Sequence, residues 1–345
     1  MNIHNILHWR FLANKIASFQ SRFKKRSGFE MRDKAHKICR EFLSGTWKSI
    51  SSSDMVFRSL SGGLSNLLYY CSLPETHTPL IGEPGQVLLR MYGQLHDGGV
   101  DSTVTESVIF MMLAERRLGP KLYGIFPGGR LEEYIPARAL TCQELKDSDI
   151  SATIARKLAK VHSLQVPINK EPTWLFDKMA RHHLQQAKSP VLFCHNDLQE
   201  GNILRPEGSQ ATDDKVVFID FEFCSYNYRG FDLANHFCEW CFDYSDPKYP
   251  HFTSEPENYP TQEQQLHFIR YYLEAASFDK NPDLIHYNTE ENILEEIRIF
   301  NLASHFLWML WSIVNAQTSK ITFGYWEYGK TRLDCYFRDK SLLLQ

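Results

Sequence analysis

The hydrophobic pattern of the chain changes period once, near Pro136, and that change limits the fold more than any other feature. Before it, short apolar stretches at 56–61, 67–73, 87–92, 122–126 and 131–135 are separated by turn formers: Gly62-Gly63, the run from Pro74 to Gly85, and Pro127-Gly128-Gly129. A helix is expected over 30–50, ending near Gly45, and another over 105–118. After Pro136 the spacing is helical. Ile150, Ile154, Leu158, Val161 and Leu164 share one helix face, capped by Asp147 or Ser148. Thr261 with Gln264 forms a capping box, and Asn288 with Glu291 a looser one. The helix opened by the second runs through Ile293, Ile297, Phe300, Ser304, Trp308 and Trp311. Two short apolar strands, 191–194 and 216–219, interrupt the helices. The pattern predicts a bilobal α+β chain: a small antiparallel β lobe over 1–134 and a larger, mainly helical lobe over 135–345.

Composition narrows the function classes. Apolar residues make up 43% and charged residues 23% of the 345, which is ordinary globular usage and excludes disorder. A net charge of -3 argues against a general nucleic-acid binder. No run of eighteen apolar residues is present; the nearest, 302–314, contains His305 and Ser312 and reads as a buried helix, so no membrane span is expected. The basic N-terminal stretch (Arg10 to Arg26) lacks a signal-peptide pattern and is expected to form an amphipathic helix packed on the body. Of eight cysteines only Cys238 and Cys241 form a C-x-x-C, without a second ligand pair, so reduced thiols and a cytoplasmic protein are expected.

The segment 193–202, FCHNDLQEGN, contains H-x-D-x-x-x-x-N. This is the spacing of a phosphoryl-transfer loop: Asp197 as proton acceptor for an attacking hydroxyl, Asn202 as a metal ligand. The apolar strand 216–219 then delivers Asp220, a carboxylate fit to hold a cation against nucleotide phosphates. Upstream, Ser61-Gly62-Gly63-Leu64-Ser65-Asn66 joins two strands; it reads either as a phosphate-cradling loop or as a plain hairpin turn. Arg90 stands where that pattern places a cation on the third strand, with Glu106 as its expected ion-pair partner. No arginine precedes Asp197, which points to a small-molecule kinase rather than a protein kinase. Trp308 and Trp311 are three apart on one helix and so share a face; with Glu239 and Tyr244 they suit a quaternary ammonium, which donates no hydrogen bond and is held by ring faces and a nearby carboxylate. The alternative for these tryptophans is ordinary core.

The segments HNDLQEGNIL (195–204), IDFEFCSYNYRGFDLANHFCEWCFDY (219–244) and ASHFLWMLWSIV (303–314) resemble the choline kinase family, including the combined choline/ethanolamine kinases. Shorter stretches, LSGGLSNLL, VLLRMYG and NKEPTWLF, extend the likeness over most of 60–337. The resemblance implies a protein-kinase-like fold, ATP with Mg2+, choline phosphorylation as the first step toward phosphatidylcholine, some ethanolamine kinase activity, and a cytosolic homodimer or a heterodimer with a related kinase. It implies Asp197 as base, Asn202 and Asp220 as metal ligands, and Arg90 with residues 61–66 on the phosphates. Glu133 and Ile135 would border the adenine, and Gln199 would serve both nucleotide and substrate. Asn196, Gln199, Glu222, Tyr244, Trp308, Trp311 and Tyr328 would form the choline side, with Glu239 nearby. Two departures stand out: Phe223 where the family usually has Tyr, and a stretch 180–188 far shorter than the family's helical segment there. The other readings are ethanolamine kinase, and a scaffold subunit impaired by that short stretch.

Overall fold

The computed structural model describes residues 30–60, 66–92, 99–172, 189–207, 215–276, 287–319 and 321–343. The loop Ser61 to Ser65, the stretch 180–188 and the basic N-terminus lie outside them. The chain divides into two compact units, residues 1–97 with 121–134, and 98–120 with 135–345.

The first unit is one antiparallel sheet in the order β1-β2-β3-β5-β4, formed by β1 (Val56–Leu60), β2 (Asn66–Ser72), β3 (Gln86–Tyr92), β4 (Leu122–Phe126) and β5 (Gly129–Glu133). A helix, α1, covers residues 30–42, shorter than the sequence suggests because Gly45 takes a left-handed φ of 65° and turns the chain into a 3-10 segment, Gly45–Lys48. Ala35, Ile38 and Cys39 of α1, at helical spacing, pack with Trp47 on Cys71, Val87, Leu89 and Leu131 of the sheet. The helix approaches β4 so closely that a Cβ on Gly124 would lie 2.2 Å from the Phe42 ring. Glu83, in the β2–β3 connection, accepts from Thr46 Oγ1 (3.1 Å) and the Leu80 amide (2.7 Å), pinning that connection to the 3-10 segment.

Strand β5 begins at Gly129, two residues earlier than expected. Phe126 pairs directly with Gly129, leaving Pro127 and Gly128 as a two-residue turn in which Gly128 supplies φ 87°. This register sets Arg90 opposite Arg130 and Leu88 opposite Glu132. Glu132 bridges both cations, 3.2 Å from Arg90 Nε and 2.9 Å from Arg130 Nε, with all three side chains buried. Burial opposes ionisation of Glu132, but the two guanidiniums win and hold its pKa below the usual value. Arg90 thus has a partner one strand away; Glu106 lies on α2 (Gly99–Glu115), in the second unit.

The second unit is helical. Helix α3 (Cys142–Leu145) is one turn; α4 (Ser148–His162) buries Ile150, Ile154, Leu158 and Val161 as the spacing predicts, with Asp147 accepting from the amides of Asp149 and Ile150. Helix α4 runs along α6 (Gln262–Ala276), α5 (Arg229–Glu239) against α7 (Glu290–Thr318), and α7 along α8 (Tyr325–Leu343). Thr261 and Gln264 cap each other as expected. At α7 the cap is Thr289, not Asn288, because the Asn288 amide oxygen is engaged by Arg229. By length and composition α7 is able to cross a membrane, but 56% of its most apolar window is buried inside the protein. All eight cysteines are free thiols.

Two small ladders carry the site. Strand β7 (Val191–Cys194) pairs with β10 (Ser225–Tyr228), and β8 (Ile203–Pro206) with β9 (Val217–Phe218) and β6 (Ala137–Ala139). The loop from His195 to Asn202 therefore starts where β7 ends and stops where β8 begins, while the turn holding Asp220 runs from β9 to β10. Strand pairing thus ties both loops to each other at both ends. In the first unit, Glu132→Ala should lower the unfolding free energy in urea by about 3–5 kcal/mol, since it strands two buried cations; a loss below 1 kcal/mol would mean the triad does not hold the sheet.

Candidate active site

The loop after β7 is held by one buried carboxylate. Asp232, in the first turn of α5, accepts the backbone N–H groups of His195 and Asn196, each at 2.7 Å. It also receives Nε2–H of His162 at 2.9 Å, whose Nδ1 takes the Tyr272 hydroxyl at 2.7 Å. Burial opposes its charge, yet His162 and the loop amides lower its pKa, so Asp232 stays an anion in the core. With the loop so anchored, Asn196 tolerates a left-handed φ of 67°. His195 Nε2 hydrogen-bonds Ile219 O at 3.1 Å, and the Ile219 amide donates to Asn202 O at 3.0 Å, fastening the loop to the strand before Asp220. Asp220 is itself left-handed, φ 62° and ψ 68°. Phe221 behind it packs on His195, Phe110 and the bare backbone of Gly119, where a Cβ would lie 2.6 Å from the ring.

Asp197 and Asn202 meet: the Asn202 amide donates to Asp197 O at 2.8 Å and to Asp197 Oδ2 at 3.0 Å. Burial raises the Asp197 pKa well above the usual carboxylate range, and the charges of Glu239, Asp220 and Glu222 push the same way, with the Asn202 hydrogen bond opposing them. These carboxylates form one electrostatic cluster around Asp197, and Asp197, Asp220 and Glu222 offer the hard oxygen atoms that suit a divalent cation.

The expected substrate side divides in two. Trp308 and Trp311 lie edge to face at 5.5 Å, Trp311 faces Tyr328 at 6.4 Å, and Tyr244 joins Tyr328 at 6.1 Å, with their hydroxyls 3.0 Å apart. Phe223 meets Trp308 at 5.7 Å, and the Tyr244 hydroxyl donates to Glu239 at 2.8 Å. This aromatic group is joined to the loop through Asn235, which takes the Trp308 indole N–H at 2.7 Å and donates to Asn196 O at 3.3 Å. Asn196 and the Gln199 amide oxygen also make hydrogen bonds within the fold. The Asn196 amide donates to Phe223 O and Ser225 Oγ, both at 2.9 Å, and its oxygen accepts from Asn227; Gln199 caps the following turn by accepting from the Gly201 amide at 2.7 Å. A groove of about 490 Å³ between residues 250–256 and α8 is bordered by none of the expected residues.

Asp232, His162, Asn235 and His236 escaped the sequence reading. His236 donates Nδ1–H to Leu198 O at 2.9 Å and accepts the Trp240 indole N–H at 3.4 Å on Nε2.

The model of the choline/ethanolamine kinase family matches residues 57–186 and 178–337, two parts that meet in the short stretch noted above. A human choline/ethanolamine kinase is 46% identical over 90% of this chain and 86% of its own length. The chain belongs to the choline/ethanolamine kinase family. The crystal structure of a choline kinase from Cryptosporidium parvum, 25% identical, superposes with a TM-score of 0.71 over 90% of this chain and 95% of that one. A macrolide 2'-phosphotransferase from Brachybacterium faecium, 10% identical, shares the fold at a TM-score of 0.52, covering 87% of this chain and 98% of that one. The fold is thus the protein-kinase-like one. In this choline/ethanolamine kinase family member the catalytic loop, the Asp220 turn and the aromatic group are all built by the second unit.

Burial depresses the His236 pKa to about 4 from its ordinary 6.5. Between these values the unfolded chain binds a proton that the folded chain does not, so stability falls as pH drops through that window. Replacing His236 by Gln should flatten the dependence by up to about 1.4 kcal/mol per pH unit. Denaturant titrations from pH 4 to 7 on both proteins check this; parallel curves would refute it.

Proposed function

We propose that this protein transfers the γ-phosphoryl group of ATP to the hydroxyl of choline, and to ethanolamine less efficiently. One observation carries the reading: the Asp197–Asn202 pair is coupled through Asn235 to a group of Trp308, Trp311, Tyr244 and Tyr328 rings beside the Glu239 carboxylate. Ring faces and a carboxylate suit a cation that cannot donate hydrogen bonds. The relatives' names supply the substrate pair. Asp197 accepts the hydroxyl proton. Asn202 and Asp220 would hold Mg2+, whose charge offsets that of the transferring phosphoryl group. Asp197, Asp220 and Glu222, with Asn202, fit such a cation, whose charge would favour the ionised form of Asp197 that a base requires. Arg90 and residues 61–66 are assigned to the phosphates, and Glu133 and Ile135 to the adenine. A cytoplasmic dimer completes the reading. Retention of Asp197, Asn202 and Asp220 favours a working enzyme over a scaffold.

Asp197→Asn should reduce kcat by at least about 100-fold, while the ATP dissociation constant stays within a few-fold of wild type. Turnover near wild type would remove Asp197 from the chemistry. ADP release with choline, ethanolamine and neither, each with and without EDTA, tests acceptor and metal together. Choline should give the higher kcat/KM and EDTA should abolish the signal. A strong preference for ethanolamine would overturn the ring-face argument, and full activity in EDTA the metal assignment.

A further inference from the structure

The wall of the proposed cation pocket contains a charge that the sequence reading did not find. Arg332, on α8, is fully buried. Its guanidinium touches the Glu239 carboxylate and both tyrosine hydroxyls of that wall. Nη2 pairs with Glu239 Oε1, donates to the Tyr328 hydroxyl at 2.7 Å and reaches the Tyr244 hydroxyl at 3.3 Å; Nε donates to Tyr328 at 2.9 Å. Its plane lies on Phe242, 3.9 Å from the ring centroid, and Nη1 approaches His305 Nδ1 at 3.4 Å. The other Glu239 oxygen accepts the Tyr244 hydroxyl at 2.8 Å. Glu239 is therefore neutralised and occupied at both oxygens by its own neighbours.

This changes what the pocket recognises. A primary ammonium loses strong hydrogen bonds to water when it enters a protein and needs acceptors in return. Arg332 and Tyr244 each engage one Glu239 oxygen, and the guanidinium cancels its charge, so Glu239 is a much weaker acceptor for an entering ammonium than a free carboxylate. A quaternary ammonium loses no donor hydrogen bond and needs only ring faces, which the same contacts keep in place. From this geometry we propose that Arg332 is a positioning residue that sets acceptor specificity, favouring a quaternary over a primary ammonium by engaging Glu239 and orienting Tyr244 and Tyr328. The proposal rests on the reading of this site as an alkanolammonium kinase and adds the residue that chooses between its two acceptors.

The test is the ratio of kcat/KM for choline to that for ethanolamine, with the KM for ATP as an internal control. Arg332→Gln releases Glu239 as an acceptor. The ratio should fall about tenfold or more, the size of one charge-assisted hydrogen bond to an ammonium, through KM for the two alcohols rather than through KM for ATP. Arg332→Lys keeps the charge but loses the fork and should shift the ratio in the same direction by less; it carries the test if the Gln variant does not fold. The double variant Arg332→Gln/Glu239→Gln has no carboxylate to release and should return the ratio toward wild type. A ratio within twofold of wild type in the foldable single variants, with only a lower melting temperature, would overturn the proposal and leave Arg332 a structural residue. So would an equal shift in single and double variants. If the wild-type protein phosphorylates neither alcohol, the function reading itself fails, an outcome distinct from an unmoved ratio.

Discussion

The loop that brings Asp197 and Asn202 together depends on one buried carboxylate, Asp232. Asp232 sits in the core, where a lone charge is costly, and is tolerated because two loop amides and an imidazole converge on it. The consequence runs outward. The two amides fix the entry to the loop, the loop's own bonds bring Asn202 onto Asp197, and His195 ties the loop to the strand that delivers Asp220. Through His162 and Tyr272 the same anion reaches α4 and α6, so these helices and the loop of Asp197 and Asn202 share one hydrogen-bonded centre.

Around that centre the protein arranges charge in two ways. Burial and the neighbouring carboxylates Glu239, Asp220 and Glu222 together raise the proton affinity of Asp197. Ion pairs balance charge inside the fold: Arg90 and Arg130 with Glu132 in the first unit, Arg229 with Glu296 in the second, and Glu239 of the cluster itself with Arg332.

Much of this was legible in the sequence where the signal is local. The helical face of α4, the Thr261 cap, the strand 191–194 and the loop spacing from Asp197 to Asn202 follow from periodicity and short-range chemistry. The start of β5 was missed because Gly129 reads as turn but pairs as strand, and the α7 cap was misplaced because a distant arginine engages Asn288. Asn196 and Gln199 look like ligand groups in a linear motif, yet each satisfies backbone or side-chain partners that only the folded chain supplies. Asp232 and Arg332 lie far in sequence from what they hold. The one available hint was Asp232 itself, a carboxylate set among Phe231, Leu233 and Ala234 on an apolar helix, where an anion must find donors.

Native-state hydrogen exchange of the His195 and Asn196 amides addresses the Asp232 clamp most directly. If the carboxylate anchors the loop, both amides exchange only through global unfolding, with protection equal to that of the α5 core. Exchange at the rate of an exposed loop, while α5 stays protected, would show that the catalytic loop is not held in this way.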